Sequence, residues 1–311
     1  MPSWQVRTFS TIIRLTVKRR PSGNEAAIVR YFRSRLDRPR LFRAPVPKGA
    51  NVQTVNQNKV KGEWVEFTHK PRWTIYYLHG GGYTAGSPRH YRPFTAALSC
   101  ATNARVFALD YRLAPEHRFP AAVDDAVRGY RWLIKNGLNP DNIVIGGDSA
   151  GGGLTISTLI SLRDAGERLP SAAFCFSPWT DLACTGKSMA INDNRDPMFY
   201  SEFVCRMAPV YLGFTSPGNP LASPIYADLS NLPPLLIYVG SSEVLLDDSV
   251  RLSERAKECG VNVDLRVGED MPHVWPIFAG YNIPEARAAI TEVGEFIRAQ
   301  SRDTGDKRDN E

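Results

Sequence analysis

The sequence predicts an α/β fold built on a mostly parallel sheet with helices on both faces, and three observations carry that expectation. Short, apolar, β-prone runs recur between residues 64 and 267. Segments long enough for helices separate most of these runs. Glycine clusters and isolated polar residues stand directly after several of them, where an open α/β sheet holds its ligands.

The runs are 64–68, 73–78, 105–109, 142–146, 172–176, 235–239 and 262–267. Helices are expected at 91–102, 121–136, 150–165, 247–259 and 284–299. This alternation describes βαβ units. Two stretches fall outside the rhythm, 1–50 and 181–232, and both are long enough to be helical additions. The organisation read from this is a helical segment at 1–50, core at 51–180, an insertion at 181–232, core again at 233–301 and a polar, frayed tail at 302–311.

The composition is ordinary for a globular chain of 311 residues, at 43% hydrophobic and 23% charged. That length suits one large α/β domain with insertions or two smaller domains. No apolar stretch approaches the length of a membrane span. The first twenty residues are interrupted by Arg7 and Arg14 and lack a small-residue cleavage site, so no secretory signal is expected. The 5 cysteines are scattered without metal spacing, which reads as reduced thiols in a cytoplasmic protein. No metal site, dinucleotide fingerprint or P-loop occurs, and no cofactor is expected.

The charge is unevenly placed. Residues 1–43 hold 11 Lys/Arg and 2 Asp/Glu, a net of +9, whereas the remainder holds 27 and 30, a net of −3. Within that basic segment Trp4, Phe9, Ile12, Ile13 and Val17 recur at helical spacing. Such a helix can dock its apolar stripe on the body, arginines in solvent, or lie on an anionic membrane. Docking is the favoured reading, and membrane contact can coexist with it. Nucleic-acid binding is not expected, because the body is slightly acidic and carries no reader motif.

Chemistry concentrates after the runs. His79-Gly80-Gly81-Gly82-Tyr83 follows 73–78, and consecutive glycines let amides point at developing negative charge. Gly147-Asp148-Ser149-Ala150-Gly151 follows 142–146 and reads as a sharp strand-to-helix turn exposing a serine. Glu243 follows 235–239, and His273 follows 262–267. Each signal alone has a bland reading as a turn, cap or structural histidine. An anion-stabilising loop, then Ser, acid and His, each after a successive strand, is the chain order of the α/β-hydrolase triad.

The segments LHGGGY (78–83), DYRLAPEHRFPAA (110–122), GDSAGGG (147–153), GSSEVLLDDS (240–249) and MPHVW (271–275) together resemble the hormone-sensitive-lipase-like, or bacterial family IV, carboxylesterases in their GDSAG variant. The resemblance spans roughly 60–300. It implies an α/β-hydrolase fold, an eight-stranded sheet and a cap built from the two stretches outside the strand rhythm. It implies Ser149 as nucleophile, His273 as general base, and an oxyanion hole from the amides of Gly81, Gly82 and Ala150. His79 and the DYRLAPE stretch are expected to support the glycine loop. The acid is expected at Glu243, where the family usually has Asp. Asp247 and Asp248, as alternatives, read better as a helix cap or first-turn acids.

An apolar cap with Trp4, Phe9, Met198, Phe199 and Tyr200 would suit an uncharged ester, and Tyr83, Asp148 and Trp179 are further pocket candidates. The resemblance implies short-to-medium acyl chains, about C2–C8, and a homodimer paired near 262–267. Three activities fit this site: a serine carboxylesterase, a lactone hydrolase with the same machinery, and a non-catalytic small-molecule receptor like the plant gibberellin receptors. Those receptors have lost the catalytic His, so the presence of Ser149 and His273 favours the esterase.

Overall fold

The computed structural model describes residues 2–20, 22–36, 45–67, 71–281 and 283–303. Eight strands form one sheet: β1 Asn51–Gln57, β2 Val60–Glu66, β3 Trp73–Leu78, β4 Ala104–Leu109, β5 Ile143–Asp148, β6 Ala172–Phe176, β7 Leu235–Gly240 and β8 Val263–Gly268. Their order across the sheet is β1-β2-β4-β3-β5-β6-β7-β8. The β1–β2 and β2–β4 pairs are antiparallel and all later pairs are parallel. Six of these strands coincide with the expected runs to within two residues, and β2 overlaps the run at 64–68, whose last residue lies outside the described residues.

The central strands are buried on both faces, and side-chain parity divides them between two cores. Tyr76, Leu78, Phe107, Ile145, Cys175 and Ile237 face one core. It is closed by α4 Ala121–Lys135, α5 Ala150–Asp164 and α8 Leu246–Glu258. Ile75, Tyr77, Val106, Val144, Phe176 and Tyr238 face the other, closed by α3 Pro88–Thr102 and α9 Pro284–Asp303. Because α5 is buried, its Ser and Thr hydroxyls are satisfied locally. Thr155, Ser157 and Thr158 donate to carbonyls four residues back. Most of the tail expected at 302–311 lies outside the described residues.

Helices α1 Trp4–Thr16, α2 Glu25–Leu36, α6 Ser188–Ile191 and α7 Ser201–Leu212 come from the two stretches outside the strand rhythm. Phe32 of α2 packs on Phe199 and on Phe203 of α7, so both stretches meet on the side of His273. Helix α1 docks as expected: Val6 and Ile13 are buried and Phe9 packs on Phe278. Burying Val6 and Ile13 is worth about 1.5–3 kcal/mol each. The expected stripe is nevertheless split, because Trp4 and Ile12 face outward. Ser3 pins the helix start, its amide and hydroxyl both donating to Glu285 of α9.

The expectation of uniformly reduced thiols is corrected. Cys184 and Cys205 form a disulfide with a Cα–Cα separation of 6.0 Å, fastening the loop before α6 to α7. Sequence spacing could not reveal it, since the pair is 21 residues apart in an irregular insertion. Cys100, Cys175 and Cys259 are free. Among the described residues no helix is long and apolar enough to cross a membrane.

Candidate active site

Ser149 stands between β5 and α5 with φ 52° and ψ −121°, a left-handed value that a residue with a Cβ adopts at a cost of about 1–3 kcal/mol. Its backbone is held there from three sides. Its amide donates to the Phe176 carbonyl at 2.8 Å, and its own carbonyl accepts the Gly153 and Trp179 amides at 3.1 and 2.9 Å. A Cβ on Gly147 or Gly151 would strike the Leu78 carbonyl oxygen. The flanking glycines are therefore a packing requirement: the turn crosses the end of β3 too closely for any side chain.

His273 Nε2 lies 3.0 Å from Ser149 Oγ, and His273 Nδ1 lies 2.6 Å from Glu243 Oε2. Both His273 and Glu243 are buried. Glu243 Oε1 accepts the Gly240 amide and the Ser177 hydroxyl. Ser177 Oγ in turn accepts the amide of Val274, the residue after His273. One hydroxyl thus ties the acid to the histidine loop, a link that sequence reading missed. Its signal was available only as another polar residue following a strand.

Burial by itself lowers the His273 pKa. The Glu243 charge and hydrogen bond, with Asp196 and Asp148 behind them, reverse this and hold it above the ordinary 6.5. A hydroxyl, an imidazole and a carboxylate in this line can move a proton off the hydroxyl and stabilise the imidazolium that forms. The alternatives to Glu243 point elsewhere. Asp247 accepts the Ser188 amide, and Asp248 accepts the Thr180 and Asp181 amides.

The glycine loop after β3 is braced from below. Gly81 has φ 122° and a Cβ there would strike the Ala85 carbonyl. Among the described residues the amides of Gly81 and Gly82 have no backbone acceptor. Tyr111 stacks on His79 at 4.3 Å and donates its hydroxyl to the His79 carbonyl. Burial lowers the His79 pKa to about 4, keeping that ring neutral in its supporting place. Arg33 of α2 donates to the Thr84 and Ala114 carbonyls and pairs with Glu116, a brace that sequence reading also missed.

The expected pocket residues fall into different places. Phe199 is half-buried with its ring 5.3 Å from His273. Trp179 is buried next to Ser149, bonded to it through the backbone. Tyr83 is buried and stacked on Tyr211 at 3.8 Å. Asp148 is buried as a brace, accepting from the Tyr77 and Tyr91 hydroxyls and the Gly80 amide; burial pushes its pKa up to about 6. Tyr200 lies under Lys18 and Arg20. Trp4 and Phe9 do not belong to the lining: Trp4 faces solvent and Phe9 packs against Phe278.

A turn of the insertion grips the acid loop. Asn192 Nδ2 donates to the Ser241 and Glu243 carbonyls, and Asp196 Oδ2 accepts the Val244 amide. The same turn is held by the N-terminal segment. Lys18 Nζ donates to the Asp193 and Asp196 carbonyls, and Arg14 to those of Asn194 and Arg195. Among the described residues no three His, Cys, Asp or Glu side chains are grouped to hold a metal ion.

A family model for the alpha/beta hydrolase fold matches residues 75–277. The chain belongs to this family, and its sheet is that of an α/β hydrolase. It is similar to an acetyl-hydrolase of Streptomyces hygroscopicus, 46% identical over 81% of this chain and 83% of the relative. An esterase of Acinetobacter venetianus is 34% identical over 83% and 84%. Among solved structures, EstE5 soaked with p-nitrophenyl butyrate superposes with a TM-score of 0.89 at 40% identity, over 96% of this chain and 99% of that one. An esterase from the bacterial hormone-sensitive lipase family gives 0.87 at 42%, over 96% and 99%. Within the α/β hydrolases the chain is a hormone-sensitive-lipase-like carboxylic ester hydrolase, which sets aside the receptor reading.

Proposed function

We propose that the protein is a serine carboxylesterase of short-to-medium acyl esters, about C2–C8, working through an acyl-enzyme. The observation that carries this reading is the hydrogen-bonded line from Ser149 Oγ through His273 to Glu243. Ser149 Oγ attacks the acyl carbon while His273 Nε2 takes its proton. The carbonyl oxygen gathers negative charge against the amides of Gly81, Gly82 and Ala150. The tetrahedral adduct collapses, the C–O bond to the alcohol breaks, and His273 returns the proton to the departing oxygen. Water, deprotonated by His273, then attacks the acyl carbon, the bond to Ser149 Oγ breaks, and His273 returns the proton to Oγ as the carboxylic acid leaves. Glu243 holds the imidazole in the tautomer with its proton on Nδ1 and stabilises the cation between steps.

The helical segments 1–50 and 181–232 are proposed as a cap over a core of 51–180 and 233–301, with Phe199 and Trp179 as walls beside the nucleophile. Trp179 borders the serine and Phe199 the histidine, which suits an uncharged acyl group. The proposed homodimer would pair through β8, which is the last strand in the sheet order. The proposed cytoplasmic placement rests on the 3 free thiols and is opposed by the Cys184–Cys205 bond.

The deciding experiment is hydrolysis of p-nitrophenyl esters from acetate to decanoate by the wild type and Ser149→Ala. Expected is a rate maximum at a short chain and a loss of at least about 10⁴-fold in the variant. Turnover surviving in Ser149→Ala would sink the mechanism.

A further inference from the structure

We propose that the outward face of α1, with the guanidinium-lined groove beside it, is a docking surface for a bilayer bearing anionic headgroups. At 100° per residue, Val6, Phe9 and Ile13 form the face turned to the body, and Trp4, Thr8, Ile12 and Leu15 form the opposite one. On that opposite face Trp4 is 72%, Ile12 51% and Leu15 75% exposed. Scattered exposed apolar side chains need no explanation, but these three stand in one helical register with only threonines between them. The helix is therefore apolar on two sides, and the body covers only one.

The charge beside this stripe selects the occupant. Arg7 and Arg14 flank it and Arg19 and Arg20 follow its C-terminal end, all exposed, with Arg20 paired to Asp193 and Glu202. Arg14 is fixed by neutral carbonyls, which orient the guanidinium and leave its charge in place. Between α1 and the turn at 195–197 runs an open groove of about 510 Å³, lined by Arg7, Ser10, Arg14 and Arg195, with Asp270 as its single carboxylate. Asp270 is 3.4 Å from Arg195, and Arg7 and Arg14 add two more guanidinium groups to the same lining. Across the chain, residues 1–43 carry net +9 against −3 for the rest. An apolar stripe under a Trp, bordered by arginines and lacking acidic residues on its own helix, matches the interface of an anionic membrane. The inference does not depend on the hydrolytic mechanism.

The test is co-sedimentation of the full chain with phosphatidylcholine vesicles, with and without about one third phosphatidylglycerol. Expected is pelleting with the anionic vesicles only, released at high salt. Trp4→Ser with Leu15→Ser should weaken it by about tenfold or more per side chain. Hydrolysis of soluble p-nitrophenyl acetate by that double variant should match the wild type, showing an intact fold. Three results would overturn the proposal: no pelleting of wild type, equal pelleting of the double variant, or a lipid-free dimer that the same substitutions dissolve. The last would make a second copy of the chain the occupant of this face.

Discussion

Glu243 occupies a site where both carboxylate oxygens are spoken for, Oε1 by Ser177 and the Gly240 amide, Oε2 by His273. Replacing it by Gln keeps the shape but removes the charge that raises the His273 pKa. A base works only when neutral, so activity climbs as pH rises through the pKa of His273. In Glu243→Gln that pKa falls, so the acid limb of the kcat/KM profile should move to lower pH while the plateau drops by about 10⁴. Asp248→Asn is the contrasting substitution. Burial pushes the Asp248 pKa up to about 7, and its two amide bonds reach the same oxygen, Oδ2. An amide carbonyl can accept both, so turnover should stay within about threefold of wild type. An inactive Asp248→Asn beside an active Glu243→Gln would transfer the acid role. Ser149, Glu243 and His273 were legible in the sequence because each stands on the loop that follows a strand. Ser177 follows β6 directly, yet a serine there is unremarked until the fold sets it against a residue 66 positions away.

At the scale of elements, the turn from Asn192 to Asp196 decides how firmly the acid loop is held. Asp196 is fully buried, and its oxygens accept the Val244, Met198 and Phe199 amides. It also adds to the negative charge that raises the His273 pKa. Asp196→Asn should lose about 1–3 kcal/mol of stability. It should also shift the acid limb to lower pH, in the direction of Glu243→Gln but by less. A stability loss with an unmoved pH profile would make the turn purely structural. The disulfide carries its own expectation. Unfolded without reductant, the chain should titrate 3 thiols, and with reductant all 5. Replacing Cys184 and Cys205 by serine should cost about 2–4 kcal/mol, read as a lowered melting midpoint. Elements with apolar periodicity were readable, whereas β1, NVQTVNQ, was not: an edge strand with only Val55 buried carries almost no pattern. The grip of Asn192 and Asp196 was hidden for a different reason, since irregular insertions have no period to read.

Over the whole molecule, the sequence separates residues 1–50 from the strand rhythm but cannot say where they go. The fold lays them across the sheet's working end: Ser3 meets Glu285, Lys18 meets the Asn192–Asp196 turn, and Arg33 meets the glycine loop at Thr84. These contacts join residues up to 282 positions apart, a distance over which no local pattern carries information. The direction of synthesis gives this arrangement a consequence. Domains assemble as the chain leaves the ribosome, N-terminus first, at about 5–20 residues per second. Helix α1 is made more than 260 residues before the surfaces it rests on, Phe278 and Glu285. Until those surfaces emerge its inner apolar face has nothing to cover it, and the nascent helix must wait, basic and undocked. A helix made well before its partners thus docks only after them.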